Sequence, residues 1–456
     1  MKKQIRLNGI DMMCMGCTPG IWRHPRDQSA GYTSLRYWTD LARLLERGKF
    51  DCLFLADIFG IYDVYRRGPE PAFKHAVEFP VCDPMMTVPA MAVVTEHLGF
   101  GVTGTLSYEA PYSFARRVST LDHLTEGRFA WNIVTGYLSS AARAFGLKDQ
   151  LTHDERYDRG DEFMEVMYRL WEGSWEDGAV IRDKTAGVFA DPSRIHRIQH
   201  RGRWFELDAY HLCEPSPQRT PVLFQAGASH RGRDFAATHA ECVFVGGRSR
   251  EVVAKTVADI RKRAAAQGRD PASVLIFGAL SVIVAETDAL ARAKLEDYLR
   301  YVDVEGLLTL ISGYAGVDFS TFDLDAPLAH FESNAIRSFV DSVTRAESGR
   351  ERTVRELALR AAIGAAHEVG SPQTIADAME AWIEQTGLDG FNLVYSITPG
   401  DFTDFVELVV PELQRRGVYK TEYAEGTLRE KLYGPGRSKL DNQHPAARFR
   451  HPGNKP

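Results

Sequence analysis

Short apolar runs rich in Val, Ile, Leu and Phe recur along most of the chain, and stretches whose apolar positions fall three and four apart lie between them. The first pattern suits strands buried on both faces, and the second suits amphipathic helices lying on such a sheet. Eight runs read as strands: Ile5–Ile10, Cys52–Ala56, Leu98–Thr105, Arg128–Val134, Pro221–Gln225, Glu241–Val245, Val274–Val284 and Phe391–Tyr395. Helices are expected at Tyr37–Lys49, Pro84–Leu98, Tyr112–Thr125, Ser229–His239, Arg250–Gln267 and Thr374–Thr386. The first shows the signal plainly, with Leu41, Leu44 and Leu45 on one face and Gly48 near its end.

Eight parallel strands joined by helical crossovers close naturally into a (β/α)₈ TIM barrel, whereas an open doubly wound sheet usually has fewer strands and a switch point. Two connections are too long for simple crossovers and read as insertions over the active-site mouth, at about 146–220 and 286–390. The first holds a helix near Tyr157–Trp171 and a turn-rich stretch, Ser193–Pro217. The second holds a helix at Asp288–Leu299, a glycine-rich piece at Ile311–Asp318 and a helix at about 328–347. Residues 1–434 therefore form one barrel domain, and 435–456 a charged tail that wraps the surface or a neighbouring subunit.

Composition narrows the class without naming the chemistry. A hydrophobic fraction of 44%, a charged fraction of 25% and a net charge of −6 over 456 residues describe a globular protein with no footprint for nucleic acid or a membrane surface. The first residues carry no apolar signal core and no run is long enough to span a bilayer, so the expected compartment is the cytoplasm. Six scattered cysteines make no disulfide framework.

In a parallel barrel, reactive groups belong at strand C-termini and just beyond. That rule selects Cys14 and Cys17, Asp57 and Tyr62, Thr103 and Ser107, Asn132, Thr135 and Tyr137, and Ser229. Cys14 and Cys17 have the spacing of half a zinc site or a redox dithiol, but no second ligand pair accompanies them, so no metal is expected; pocket lining and a reactive thiol both stay open. His153 and Tyr157 stand four apart at a helix start and share a face. The stretch Pro221–Gly232 reads as strand, turn and helix, with the amides of Gly227, Ala228 and Ser229 placed either as a simple helix cap or as a phosphate site. P-loop, Rossmann, esterase-elbow and zinc-protease motifs are missing.

Six ordered stretches, Phe54–Asp57, Trp131–Thr135, His153–Tyr157, Leu170–Gly173, Pro221–Ser229 and Asp389–Asn392, resemble the bacterial luciferase-like monooxygenases. Within them the chain is similar to the group of nitrilotriacetate, dibenzothiophene-sulfone and long-chain alkane monooxygenases, the alkane enzymes nearest, from about Lys3 to Tyr433. The resemblance implies a two-component enzyme that takes reduced FMN (FMNH₂) from a separate NAD(P)H:flavin reductase. Through a C4a-(hydro)peroxyflavin it would insert one atom of O₂ into a small organic substrate. It also implies a homodimer or homotetramer. By the same resemblance Asp57, Thr103, His153, Tyr157 and Ser229 contact the flavin, with Ser229 and Tyr157 near the phosphate, and Phe59, Trp131 and Tyr137 keep the cavity dry. Cys14, Cys17, Tyr62, Glu78 and Tyr137 fall on substrate positions. Cys17, Glu78 and Tyr137 depart there from the alkane enzymes, and a carboxylate at Glu78 facing the cavity would suit a polar or cationic substrate. The alternatives are deazaflavin-dependent hydride transfer within the same superfamily and a flavin-binding protein without catalysis.

Overall fold

The barrel strands are β1 (Arg6–Met12), β2 (Cys52–Ala56), β3 (Gly99–Thr105), β4 (Phe129–Val134), β5 (Val222–Gln225), β6 (Cys242–Val245), β7 (Leu275–Val284) and β8 (Gly390–Val394). They belong to a computed structural model that describes residues 3–227, 229–247, 249–325, 353–362 and 367–451. Each strand pairs in parallel with the next, β7 pairs with β8, and β8 closes on β1 through Arg6–Gly390 and Leu7–Phe391. The result is the (β/α)₈ barrel that the alternation of elements implies. β1 runs two residues past its expected end, which brings Asp11 and Met12 into the barrel wall.

Side chains of successive strand residues point to opposite faces, and this sorts the polar from the aromatic positions. Phe54, Ala130, Phe224, Phe244 and Phe277 fill the barrel interior together with Leu428 and Leu432. The latter two come from the helix Leu428–Tyr433, whose Tyr433 hydroxyl donates to Glu241 O, just before β6, and to Ser273 O, before β7. This helix therefore stoppers the N-terminal mouth. The tail continues along the same chain: Leu440 and Ala446 are buried, and Arg450 makes a 2.7 Å ion pair with Glu172 in which both side chains are fully buried.

Both long insertions differ in detail from their sequence reading. The first contains the helix His153–Gly173, opened by a Thr152/Glu155 capping box, then two antiparallel hairpins, Val180–Asp183 with Val188–Ala190 and Ile198–Arg201 with Glu206–Ala209. Weak alternation in such short, exposed strands hides them from a periodicity search. In the second, the glycine-rich piece is largely the end of a helix, Val304–Ala315, which stops at Gly316 in a left-handed conformation (φ 68°). Pro84–Leu98 is shorter than expected, a 3₁₀ turn leading into Val88–Val93. The expected helix at 328–347 lies outside the described residues. A short strand, His367–Gly370, pairs with the far half of β7. No described helix is long and apolar enough to cross a membrane.

Candidate active site

At the C-terminal ends of β2 to β5 lies a cavity of about 220 Å³. Asp57, Thr103, His153, Tyr157, Gly227 and Ser229 all line it, as do Phe59 and Tyr137; Ala228 lies outside the described residues. Strand ends supply Asp57, Thr103 and Gln225, and the first insertion folds His153, Arg156 and Tyr157 back over them.

One end is shaped for an anion. Ser229 caps the helix His230–His239, its Oγ accepting from Gly232 N at 3.0 Å, and Tyr157 is hydrogen-bonded to Ser229. A Cβ on Gly232 would sit 2.8 Å from the Tyr157 hydroxyl, 2.9 Å from Ser229 Oγ and 3.1 Å from Gly227 Cα, so glycine is required there for the hollow to exist. Exposed amides and the positive end of the helix favour a phosphate. Arg156, 2% exposed and donating to Leu151 O at 2.8 Å, adds a cation to the same wall. It sits inside the His153–Tyr157 motif, one position from a residue the sequence singles out.

The rest of the wall carries further buried hydrogen-bonding groups. Asn132 Nδ2 donates to Thr103 Oγ1 at 2.9 Å, leaving the threonine proton to point elsewhere. Thr105 Oγ1 and Gln225 Oε1, both buried in the wall, have no hydrogen-bond partner among the described residues. Buried polar atoms of this kind are rare unless a ligand completes them. With the Gly232 hollow, these orphaned atoms fit a phosphorylated, hydrogen-bonding cofactor such as FMN.

Burial, reinforced by the Asp83 carboxylate, raises the Asp57 carboxyl to about 7 despite a hydrogen bond from Ile58 N. The unfolded chain ionises this carboxyl near pH 4, so the fold holds more protons between about pH 4 and 7 and loses stability as pH rises through that window. Asp57→Asn in the flavin-free protein is therefore expected to gain on the order of 2 kcal/mol over wild type above pH 7, and nothing near pH 4. Urea titrations at the two pH values check this, and a difference that is the same at both would remove the assignment.

Among the substrate-position residues, only Tyr137 lines this cavity. Glu78 stands behind it, its two oxygens accepting from Tyr62 at 2.6 Å and from Tyr314 at 3.1 Å, while Tyr62 shares a 2.6 Å hydrogen bond with Tyr137. Cys14 is 1% exposed, and Cys17 packs with its Sγ 3.7 Å from the Tyr395 hydroxyl. Burial and neighbouring carboxylates push both thiols well up, which keeps them protonated and argues against reactive thiolates, and neither thiol belongs to the cavity wall. Trp131 does not face the cavity. Strand alternation turns it outward against Phe114, Phe163 and Trp171, with its indole N–H on Gly104 O, and sends Asn132 inward instead. Ser107 and Thr135 bond each other, side chain to backbone, at 2.6 Å. Tyr108 and Arg156 are wall residues that the strand-end rule does not reach, and Gln225, the last residue of β5, is one the rule covers but the sequence reading passed over.

A closed parallel barrel with a hollow at a helix N-terminus, unpartnered buried acceptors and an aromatic wall at its C-terminal mouth has the form of a barrel enzyme that takes a phosphorylated ligand. Residues 17–390 match the family model described as luciferase-like monooxygenase. The chain is 50% identical to the dimethyl-sulfide monooxygenase of Hyphomicrobium sulfonivorans over 99% of its length and 94% of that protein's. It is 49% identical to the long-chain alkane monooxygenase of Geobacillus thermodenitrificans (strain NG80-2), over 99% of both chains. A crystal structure of riboflavin lyase with modified FMN and riboflavin is 37% identical and superposes with a TM-score of 0.92 over 98% of this chain and 100% of that one. An F420-dependent secondary alcohol dehydrogenase, at 14% identity and a TM-score of 0.57, shares the fold alone. The chain belongs to the luciferase-like monooxygenase family, and it is a two-component, FMNH₂-dependent monooxygenase.

Proposed function

We propose that the cavity binds reduced FMN with its phosphate between Ser229, Tyr157 and the Gly232 hollow, and its ring toward Asp57, Thr103 and His153, beside a substrate held at Tyr137. The observation that carries this reading is convergence: residues from the ends of strands β2, β3 and β5 and from the first insertion meet on one wall, with Gly227 and Gly232 leaving a Cβ-free approach at its anion end. When bound, the flavin supplies the electrons that activate O₂. The chain's own residues do the rest. Ser229 and the helix start hold the anion, Asp57 accepts from a ring N–H, Phe59 and Tyr108 exclude water, and Tyr137 offers a hydroxyl at the substrate side.

The substrate reading follows from where Glu78 lies. With both oxygens already accepting tyrosine protons and Tyr137 in front of it, Glu78 offers no direct contact to a cation in the cavity. An uncharged organic molecule with an apolar body suits this wall better, in keeping with the sulfide and alkane named for the two relatives near 50% identity. Reduced FMN comes from a separate NAD(P)H:flavin reductase in the cytoplasm, and the working form is a homodimer or homotetramer.

The test supplies the purified chain with a flavin reductase, NADH, FMN and labelled O₂, and a panel of small sulfides and alkanes. Label in a product is expected. Absence of label, together with reduced FMN bound no better than by buffer, would sink the reading. In anaerobic titrations Ser229→Ala should weaken reduced-FMN binding by about 1–3 kcal/mol, the range for one charge-assisted hydrogen bond. Unchanged affinity would move the phosphate elsewhere.

A further inference from the structure

Tyr137, Tyr62, Glu78 and Tyr314 form one continuous hydrogen-bonded cluster behind the cavity, and its donors can be counted. Tyr62 gives its proton to Glu78 at 2.6 Å, so in the 2.6 Å contact between the two phenols Tyr137 must be the donor. Tyr314 gives its proton to the other oxygen of Glu78 at 3.1 Å. With Glu78 ionised, every phenolic proton points toward the carboxylate, and Tyr137 shows the cavity only oxygen lone pairs. With Glu78 protonated at the oxygen facing Tyr62, the sequence runs the other way: Glu78 donates to Tyr62, Tyr62 to Tyr137, and Tyr137 donates into the cavity.

We propose that Glu78 is a buried proton store that, through Tyr62, sets whether Tyr137 presents a donor or an acceptor to the reacting groups. In the delivering step Tyr137 releases its proton to an acceptor in the cavity, Tyr62 passes its own to Tyr137, and Glu78 passes its own to Tyr62. Three O–H bonds break, three form, and no electrons change hands. The resulting carboxylate is held by the Tyr62 and Tyr314 hydroxyls. Tyr137 is then the catalytic residue, and Tyr62, Glu78 and Tyr314 are positioning residues acting through it.

Local structure supports this assignment in three ways. Glu78 has a left-handed backbone (φ 46°), as does Ala76 (φ 52°), conformations uncommon for non-glycine residues that here turn the Glu78 side chain into the tyrosine cluster. Gly313 brings the insertion helix onto the Tyr62 ring: a Cβ there would lie 2.2 Å from Tyr62 Cδ1, so the contact that delivers Tyr314 needs a glycine. Desolvation raises the Glu78 carboxyl, opposed by the two tyrosine hydroxyls. The titratable groups around it are Tyr62, Tyr137, Tyr314, Cys14 and Cys17, with Asp11 beyond Cys17. The phenols and thiols stay protonated near neutrality, because burial and the carboxylates raise them all. Proton uptake within this ring as pH falls therefore belongs to Glu78, and Asp11 reports separately because its partners are Tyr37 and Tyr395.

The inference rests on the proposed cavity only at Tyr137, so its test begins with the flavin-free protein. Infrared difference spectra recorded across a pH titration should show the carbonyl stretch of a buried carboxylic acid that vanishes in Glu78→Gln and changes frequency in Tyr62→Phe. In Tyr314→Phe the band should persist and titrate at higher pH, since a donor to the ionised form is gone. In turnover, wild type should lose product formation as pH rises through that midpoint. Glu78→Gln should lose this basic limb, and Tyr137→Phe should fall by roughly 100-fold while keeping the infrared titration. If Tyr62→Phe does not fold, Glu78→Gln and Tyr314→Phe carry the test alone. No Glu78-dependent band, or an unchanged basic limb in Glu78→Gln, would overturn the proposal. Failure to bind reduced FMN with the infrared titration intact would instead count against the cofactor reading.

Discussion

Gly232→Ala is expected to weaken binding of reduced FMN by about 4 kcal/mol, roughly a thousandfold, while leaving the barrel folded. The new methyl group would fall within 2.9 Å of both Tyr157 Oη and Ser229 Oγ, and Gly227 Cα, 3.1 Å away on its other side, limits escape. Either the phenol and hydroxyl move apart or the anion is shut out, and each course removes at least two charge-assisted hydrogen bonds. Gly232 lies in the first turn of its helix, where alanine's better helix propensity offsets part of the cost of that crowding, so the barrel should stay folded. Anaerobic titration of wild type, Ser229→Ala and Gly232→Ala gives the check: the glycine variant must be the weakest. If it binds like wild type, the phosphate does not occupy this hollow.

Arg450→Met is expected to lower unfolding stability by about 3–5 kcal/mol. Arg450 makes the 2.7 Å pair with Glu172, reaches Leu440 O at 2.8 Å and meets Asn442 at 3.3 Å. Without the guanidinium, Glu172 remains fully buried and, among the described residues, keeps only the Thr220 hydroxyl, 2.5 Å away, on its other oxygen. The loss is that of an uncompensated buried charge rather than of the pair itself, which a second substitution can separate. Glu172→Met combined with Arg450→Met should recover most of the stability in urea titrations. Equal losses in the single and double variants would show that the tail is held by its apolar contacts and that the ion pair is incidental.

The barrel was legible because its strands are buried on both faces and read as unbroken apolar runs, with β2 matching its expected limits residue for residue. Cavity-lining positions were legible for a related reason: polar residues that follow an apolar run, such as Asp57, fall at the strand C-termini where a barrel places its cavity. Direction within a strand was harder. Trp131 and Asn132 are neighbours, and only the pleat decides which of them meets the cavity. The surroundings of Glu78 were out of reach, since Tyr314 stands 236 residues away in sequence and arrives through a helix packed by Gly313. No periodicity encodes a contact of that range.

That helix, Val304–Ala315, lies in the segment between β7 and β8, whereas every cavity-lining residue named for the flavin precedes β6. Of the proposed proton-store cluster only Tyr314 is written there, while Tyr62, Glu78 and Tyr137 lie in the same stretch as the proposed flavin wall. A recombination that exchanged the second insertion with a relative's would alter the partner of Glu78 without touching the flavin wall. Descendants of one barrel could in this way drift in what they oxidise while inheriting an unchanged means of activating oxygen.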